Sequence, residues 1–209
     1  MYYRLDERNF IAGMPQLLGN EWSGKNLPTP PWVRGDGQRV RDLVRYIRGG
    51  LIELQGEFCI YCGLPFGETS GNQVEHIAPK GEGRYSQFTF EPQNLALSCS
   101  LCNGFEKKER AQYWDTVATL DPVYSLCTFH IVHPYFDDPE AELVLDYLNK
   151  QVLIKARTPK GQRTIDTFIL DGEPLTNARG RIVRLEELEL REAAAEQLAR
   201  ETVNYPVNP

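Results

Sequence analysis

The chain has no apolar run near the roughly 18 residues that a membrane-spanning helix needs, and its opening, MYYRLDERNF, lacks the apolar stretch of a secretory leader. No membrane partner and a cytoplasmic location are therefore expected. Surplus positive charge is also missing. Lys and Arg number 23 against 29 Asp and Glu, a net charge of −6. That balance excludes a surface that clamps nucleic acid on all sides and makes any basic patch local. Histidine is scarce, with three in 209 residues, and no internal repeat or low-complexity tract appears. What remains is ordinary: 41% of residues are hydrophobic, enough for a core of useful size in one domain with extensions.

Glycine, proline and asparagine crowd residues 1–36 (MPQLLGNEW, NLPTPPWVRGDG) and predict an irregular arm. From Gln38 to Arg48, the spacing of Val40, Leu43, Val44 and Ile47 predicts a helix that Gly49 and Gly50 stop. Arg39, Arg41, Arg45 and Arg48 surround its apolar stripe and form the densest positive stretch of the chain. Further on, AQYWDTVATL reads as helix broken at Asp121-Pro122, and CTFHIVHPYF as a strand. LVLDYLNKQVLIKA reads as two strands turning near Asn149-Lys150, and RTIDTFIL as a strand or a helix start. The tail RIVRLEELELREAAAEQLARETV predicts an amphipathic helix.

Five cysteines are present, and four fall into two CxxC units, Cys59/Cys62 and Cys99/Cys102. Disulfides rarely persist in a reducing compartment, so clustered cysteines are better read as metal ligands than as a covalent frame. Two tight CxxC turns can aim four thiolates at one tetrahedral ion, a closed structural zinc site with no open coordination position. The competing reading, four small buried hydrophobes, does not account for the shared spacing or for a turn-forming residue, Gly63 or Asn103, after each second cysteine. The 36 residues between the pairs exceed the 15–20 of a simple ribbon, so something is inserted there. Cys127 stands alone and reads as core.

The insertion holds His76 in the run Val74-Glu75-His76-Ile77-Ala78-Pro79-Lys80, where strand alternation separates Glu75 from Val74 and His76. A histidine beside a carboxylate can take a proton from water while the carboxylate holds a cation. Alone, the dipeptide is a weak signal. Downstream, Asn94 and Asn103 lie nine residues apart, the second directly after Cys102 on what a metal would make a rigid turn. His130 and His133, three apart in FHIVHPYF, offer with Asp137 or Asp138 an alternative second metal site, but they read better as structural or partner-facing.

Taken together, CxxC, EHxxPK and NLxLxCxxCNxxK resemble the HNH endonuclease superfamily, the ββα-metal or His-Me finger nucleases with a zinc-stapled core, over residues 57–110. The resemblance implies an α+β fold. An N-terminal arm and basic helix (1–56) would precede a ββα-metal core (57–115), followed by a strand-plus-helix extension (116–209). It implies His76 as the general base, Asn94 as a brace of the loop, and Glu75 with Asn103 as ligands of a catalytic Mg²⁺ or Mn²⁺. Cys59, Cys62, Cys99 and Cys102 would bind Zn²⁺. Asparagine at the third motif position and glutamate before the histidine depart from the commoner residues, yet both offer oxygen, which suits a hard ion.

Lys80 and Lys107 lie near enough in sequence to meet substrate phosphates, and Arg41 and Arg45 are further candidates for nucleic-acid contact. The order of the elements is also similar to nuclease subunits of bacterial anti-phage systems of the Septu and retron-linked type, which implies an ATPase partner. The expected activity is phosphodiester hydrolysis, with DNA favoured over RNA. The alternative is a zinc-finger-like binding module without catalysis, which would not need the set Glu75, His76, Asn94 and Asn103.

Overall fold

The computed structural model describes residues 38–67, 71–80, 84–103, 115–148 and 151–203. The expected arm and Lys107 lie outside the described residues. Helix α1 spans Gln38–Gln55, 18 residues, and so runs straight through the predicted stop. Its apolar stripe does not end at Ile47: Leu51 and Leu54 continue it, and Ile47 and Leu51 are wholly buried. That burial outweighs the roughly 1 kcal/mol each helical glycine costs. The stop is Gly56, at φ +74°, whose N–H closes on the Ile52 carbonyl at 2.8 Å.

Strands β1 (Asn72–His76) and β2 (Leu95–Cys99) form an antiparallel pair in which Val74 faces Leu97 and His76 faces Leu95. Since alternate residues share a face, Val74, Leu95 and Leu97 turn towards α1 and meet Ile47, Leu51 and Phe90 in one apolar cluster. The buried Gln55 side chain acts as a third strand here. Its amide donates to the Leu97 carbonyl at 2.7 Å and accepts from the Leu97 N–H at 2.9 Å. Helix α2 opens at Ser100 and is described through Asn103. The order β1-β2-α2 is the ββα arrangement that the sequence implied.

Two further antiparallel pairs follow. Strands β3 (Val117–Thr119) and β4 (Thr128–Phe129) pair, as do β5 (Leu143–Leu148) and β6 (Gln151–Ala156). The one-turn helix α3 (Pro139–Glu142) leads into β5, and helices α4 (Pro159–Phe168) and α5 (Glu173–Val203) close the chain. The β5-β6 hairpin is as predicted. The described end of AQYWDTVATL is strand, not helix. CTFHIVHPYF keeps only two residues in a strand, because the chain bends at 130–131 directly after Phe129 and turns again at 134–136. RTIDTFIL supplies the C-terminal half of α4 through Phe168, with Ile169 and Leu170 just beyond its end; Thr158 caps the helix start by accepting from the Gly161 N–H.

The large core cluster joins both halves of the molecule. It contains Cys59, Cys62, Cys99 and Cys102 together with Tyr124, Phe129, Ile165, Phe168 and Leu175. The ring of Tyr61, between the first two cysteines, stacks on Phe168 of α4 at 3.6 Å. The C-terminal elements therefore share a core with the cysteine region.

Candidate active site and metal cluster

Each cysteine pair sits on a turn fixed by main-chain bonds. The Cys59 N–H donates to the Leu64 carbonyl and the Gly63 N–H to the Cys59 carbonyl, both at 2.9 Å, with Gly63 at φ +69°. Cys99 ends β2 and Cys102 lies one turn into α2. All four thiols are buried and free of disulfides, and their sulfurs lie within 4.8 Å of one another. Cys62 and Cys99 approach to 3.9 Å. A tetrahedral ion with zinc–sulfur bonds of about 2.3 Å would place its ligands about 3.8 Å apart, so the donor set and spacing fit one such ion.

The electrostatics point the same way. Burial pushes the Cys59 thiol up, but hydrogen bonds from Cys102 and Cys62 more than reverse it and leave Cys59 below the usual range. Hydrogen bonding to Cys59 is the largest influence that pushes Cys102 well up. One thiolate thus suppresses another, and a cation is what would let all four ionise together. Among the described residues no other cluster of cysteine, histidine and carboxylate groups is close enough to hold an ion. His130 and His133 do not make one.

His76 ends β1 at 7% exposure. Its Nε2 lies 3.0 Å from the Thr89 carbonyl. A carbonyl only accepts, so Nε2 carries the hydrogen and Nδ1 keeps the lone pair. Burial first, and the nearby charge of Lys80 second, push the imidazole's pKa down to about 3, which holds the ring neutral at pH 7. Lys80 is half-buried. Burial pulls its ammonium down to about 7, while the charge of Glu75 acts to raise it. Glu75, at 4% exposure, lies on the opposite face of β1 from His76, as alternation requires. His76, Glu75 and Lys80 are therefore electrostatically coupled, and Asn103 sits part-exposed on α2.

The segment between the strands is closed by Asn94, which is fully buried. Its Oδ1 accepts from the Ala78 N–H at 2.6 Å, and its Nδ2 donates to the Phe88 carbonyl at 2.8 Å and to the Ala78 carbonyl at 3.3 Å. The Ile77 N–H donates to the Asn94 carbonyl at 2.9 Å. One residue thus ties the exit of β1 to the entry of β2. Arg41 and Arg45 lie elsewhere, exposed on α1, where Arg45 pairs with Asp42 at 2.8 Å.

The sequence did not single out Tyr124, and it offered His133 as structural or partner-facing. Both are buried, and the Tyr124 hydroxyl donates to Asn94 Oδ1 at 2.8 Å and lies 3.0 Å from His133 Nε2. The aromatic residues flanking His133 in CTFHIVHPYF were a signal for that histidine, whereas Tyr124 lies outside the stretch.

Residues 59–109 match the family model HNH endonuclease. The chain carries an HNH domain. It is also similar to "Retron Vc95 putative HNH endonuclease" of Vibrio cholerae serotype O1 biovar El Tor, with 31% identity over 108 residues, 51% of this chain and 51% of that protein. The matched stretch thus spans about half the length of that curated relative. The HNH match begins at Cys59 and extends past Asn103, so it encloses the four-cysteine cluster, His76 and Asn94.

Proposed function

We propose that this protein is a metal-dependent HNH endonuclease that hydrolyses phosphodiester bonds, acts on DNA in preference to RNA, and serves as the effector of a bacterial anti-phage system with an ATPase partner. The observation that carries the nuclease reading is the placement of His76 inside the HNH-like stretch: its Nε2–H is held by the Thr89 carbonyl, and the buried Glu75 precedes it on the opposite face of β1. The likeness to a retron protein supports the defence role.

In this reading Zn²⁺ staples the core through Cys59, Cys62, Cys99 and Cys102. Glu75 and Asn103 would hold Mg²⁺ or Mn²⁺, and their oxygen donors suit such an ion. When bound, that ion would neutralise charge developing on the scissile phosphate. His76 takes a proton from the attacking water at Nδ1, and the low basicity of its buried ring rises once phosphate lies near it. Lys80 meets substrate phosphate, as does Lys107. Asn94 keeps the histidine-bearing loop in shape. Arg41 and Arg45 supply peripheral contacts.

The test is cleavage of plasmid, single-stranded DNA and total tRNA by zinc-loaded protein, with and without Mg²⁺. Wild-type protein should nick DNA only with the added ion. His76→Ala should lose on the order of 10²–10⁴-fold or more in rate while still binding the substrate. A His76→Ala protein that cuts as fast as wild type would remove His76 from the chemistry, and a binding module without catalysis would give no cleavage under any condition.

A further inference from the structure

Hydrogen-bond donors and acceptors leave one consistent assignment from the C-terminal segment to the site. The Tyr124 hydroxyl has a single proton, and that proton goes to Asn94 Oδ1, which can only accept. His133 Nε2, 3.0 Å from the same oxygen, must therefore donate. His133 Nδ1 accepts from the Tyr135 N–H at 3.3 Å, which agrees with that tautomer. His133 is fully buried and stacks on Phe136 at 4.1 Å with the rings 8° apart. Tyr124 packs edge-on against Phe88 at 4.9 Å. Asn94 Nδ2 holds the Phe88 carbonyl, and the next carbonyl, that of Thr89, is the one that receives the Nε2–H of His76.

We propose that Tyr124 and His133, both C-terminal to the HNH match, are positioning residues for the His76 imidazole. They act through the amide of Asn94 and the carbonyls of Phe88 and Thr89. The relay runs His133 to Tyr124 to Asn94 to the Phe88–Thr89 turn to His76. Without the phenolic hydroxyl, Asn94 Oδ1 keeps one donor, and the turn that presents the Thr89 carbonyl loses its side support. The imidazole then samples orientations other than the one that the Thr89 carbonyl fixes. Coupled hydrogen bonds in a buried network strengthen one another, so the effect reaches beyond the first partner.

This proposal rests on the nuclease reading only for its rate measurement. The experiment compares full-length, zinc-loaded wild type, Tyr124→Phe, the double variant Tyr124→Phe/His133→Phe, and Thr164→Val as a control. The control removes a different buried bond, in which Thr164 Oγ1 accepts from the Val132 N–H at 2.8 Å. On whichever nucleic acid the wild type cuts, Tyr124→Phe should lower kcat by about 10- to 100-fold with KM changed less than about 2-fold. By NMR, the His76 Nε2 proton should exchange with solvent at least about 10-fold faster than in wild type. The double variant removes the orphaned His133 donor and so should recover melting temperature while kcat stays low. Thr164→Val should lose melting temperature and keep both kcat and exchange rate.

Wild-type kcat and wild-type exchange in Tyr124→Phe would overturn the relay, as would loss of turnover without faster exchange. A double variant whose kcat recovers with its melting temperature would show a purely structural role. If Tyr124→Phe does not fold, the double variant carries the comparison. If wild-type protein cuts none of the three substrates, the nuclease reading falls. The exchange rate of the His76 proton then decides the relay alone.

Discussion

Two of the three histidines are held neutral by their surroundings, for related reasons. His76 and His133 are each buried beside a lysine, and in both burial is the larger influence, with Lys80 and Lys160 adding to it. Burial brings His133 down to about 3, against about 6.5 in an unfolded chain. A base that is harder to protonate when folded leaves the unfolded state with more bound protons as the pH falls. Stability is then unaffected above about pH 6.5 and drains as the pH drops from there towards 3. At about pH 5 the single group should cost about 2 kcal/mol relative to neutral pH. Replacing His133 by Phe removes that dependence, whereas contributions from His76 and the thiols cancel between the two proteins. Urea titrations at neutral pH and near pH 5 should therefore show the stability gap between wild type and His133→Phe shifting by about this amount in favour of the variant. Parallel pH dependences would mean that His133 is protonated in the native protein.

At the scale of the element, α1 shows how tertiary packing overrules local punctuation. Gly49 and Gly50 look like a terminus, but Leu51, Leu54 and Gln55 lie beyond them and are needed against β2. Gly49 is exposed, and a methyl group built on it would meet nothing within 4 Å. Gly49→Ala should thus stabilise the protein by about 0.5–1 kcal/mol and raise the melting temperature by about 2–4 °C. An unchanged or lower melting temperature would show that the helix does not pass through this position in solution. The same contrast explains which elements were legible beforehand. The β5-β6 hairpin announces itself by periodicity and the cysteine pairs by spacing; the tail is helical as expected but not amphipathic, since residues 185–200 are exposed on every side and the buried face of α5 lies earlier, at Leu175, Ala178 and Arg179. Tyr124 escaped notice because its role comes from a partner thirty residues away in sequence, Asn94, and no local pattern encodes such a contact. The strand expected over CTFHIVHPYF stops at Phe129, where the chain bends, and its aromatics instead wrap His133. Glu75, His76 and Asn94 could be picked out through motif order, but their geometry depends on how β1 and β2 register.

On the scale of the whole molecule, the cysteine cluster is the place where the two halves meet. Its four residues sit in the same apolar cluster as Phe129, Ile165, Phe168 and Leu175, and Tyr61 within the first knuckle stacks on Phe168. Four buried thiols that suppress one another's ionisation make a poor core without a cation, so the proposed zinc contributes folding energy across the body rather than to a local finger. Metal removal should consequently loosen distant elements together with the knuckle. About one zinc per chain is expected by elemental analysis of purified protein. If the proposed ion at Glu75 and Asn103 is weakly held, brief EDTA should stop cleavage first, while the zinc proposed at the thiolates remains. Prolonged chelation, or Cys99→Ser, should then accelerate amide exchange in α4 and β6 as well as in β1 and β2, because α4 reaches the knuckle through Phe168 and packs on β6. Faster exchange confined to residues around the four cysteines, with α4 and β6 unchanged, would show that the cluster is an isolated finger. Full cleavage by zinc-loaded protein in EDTA would show that no second ion takes part.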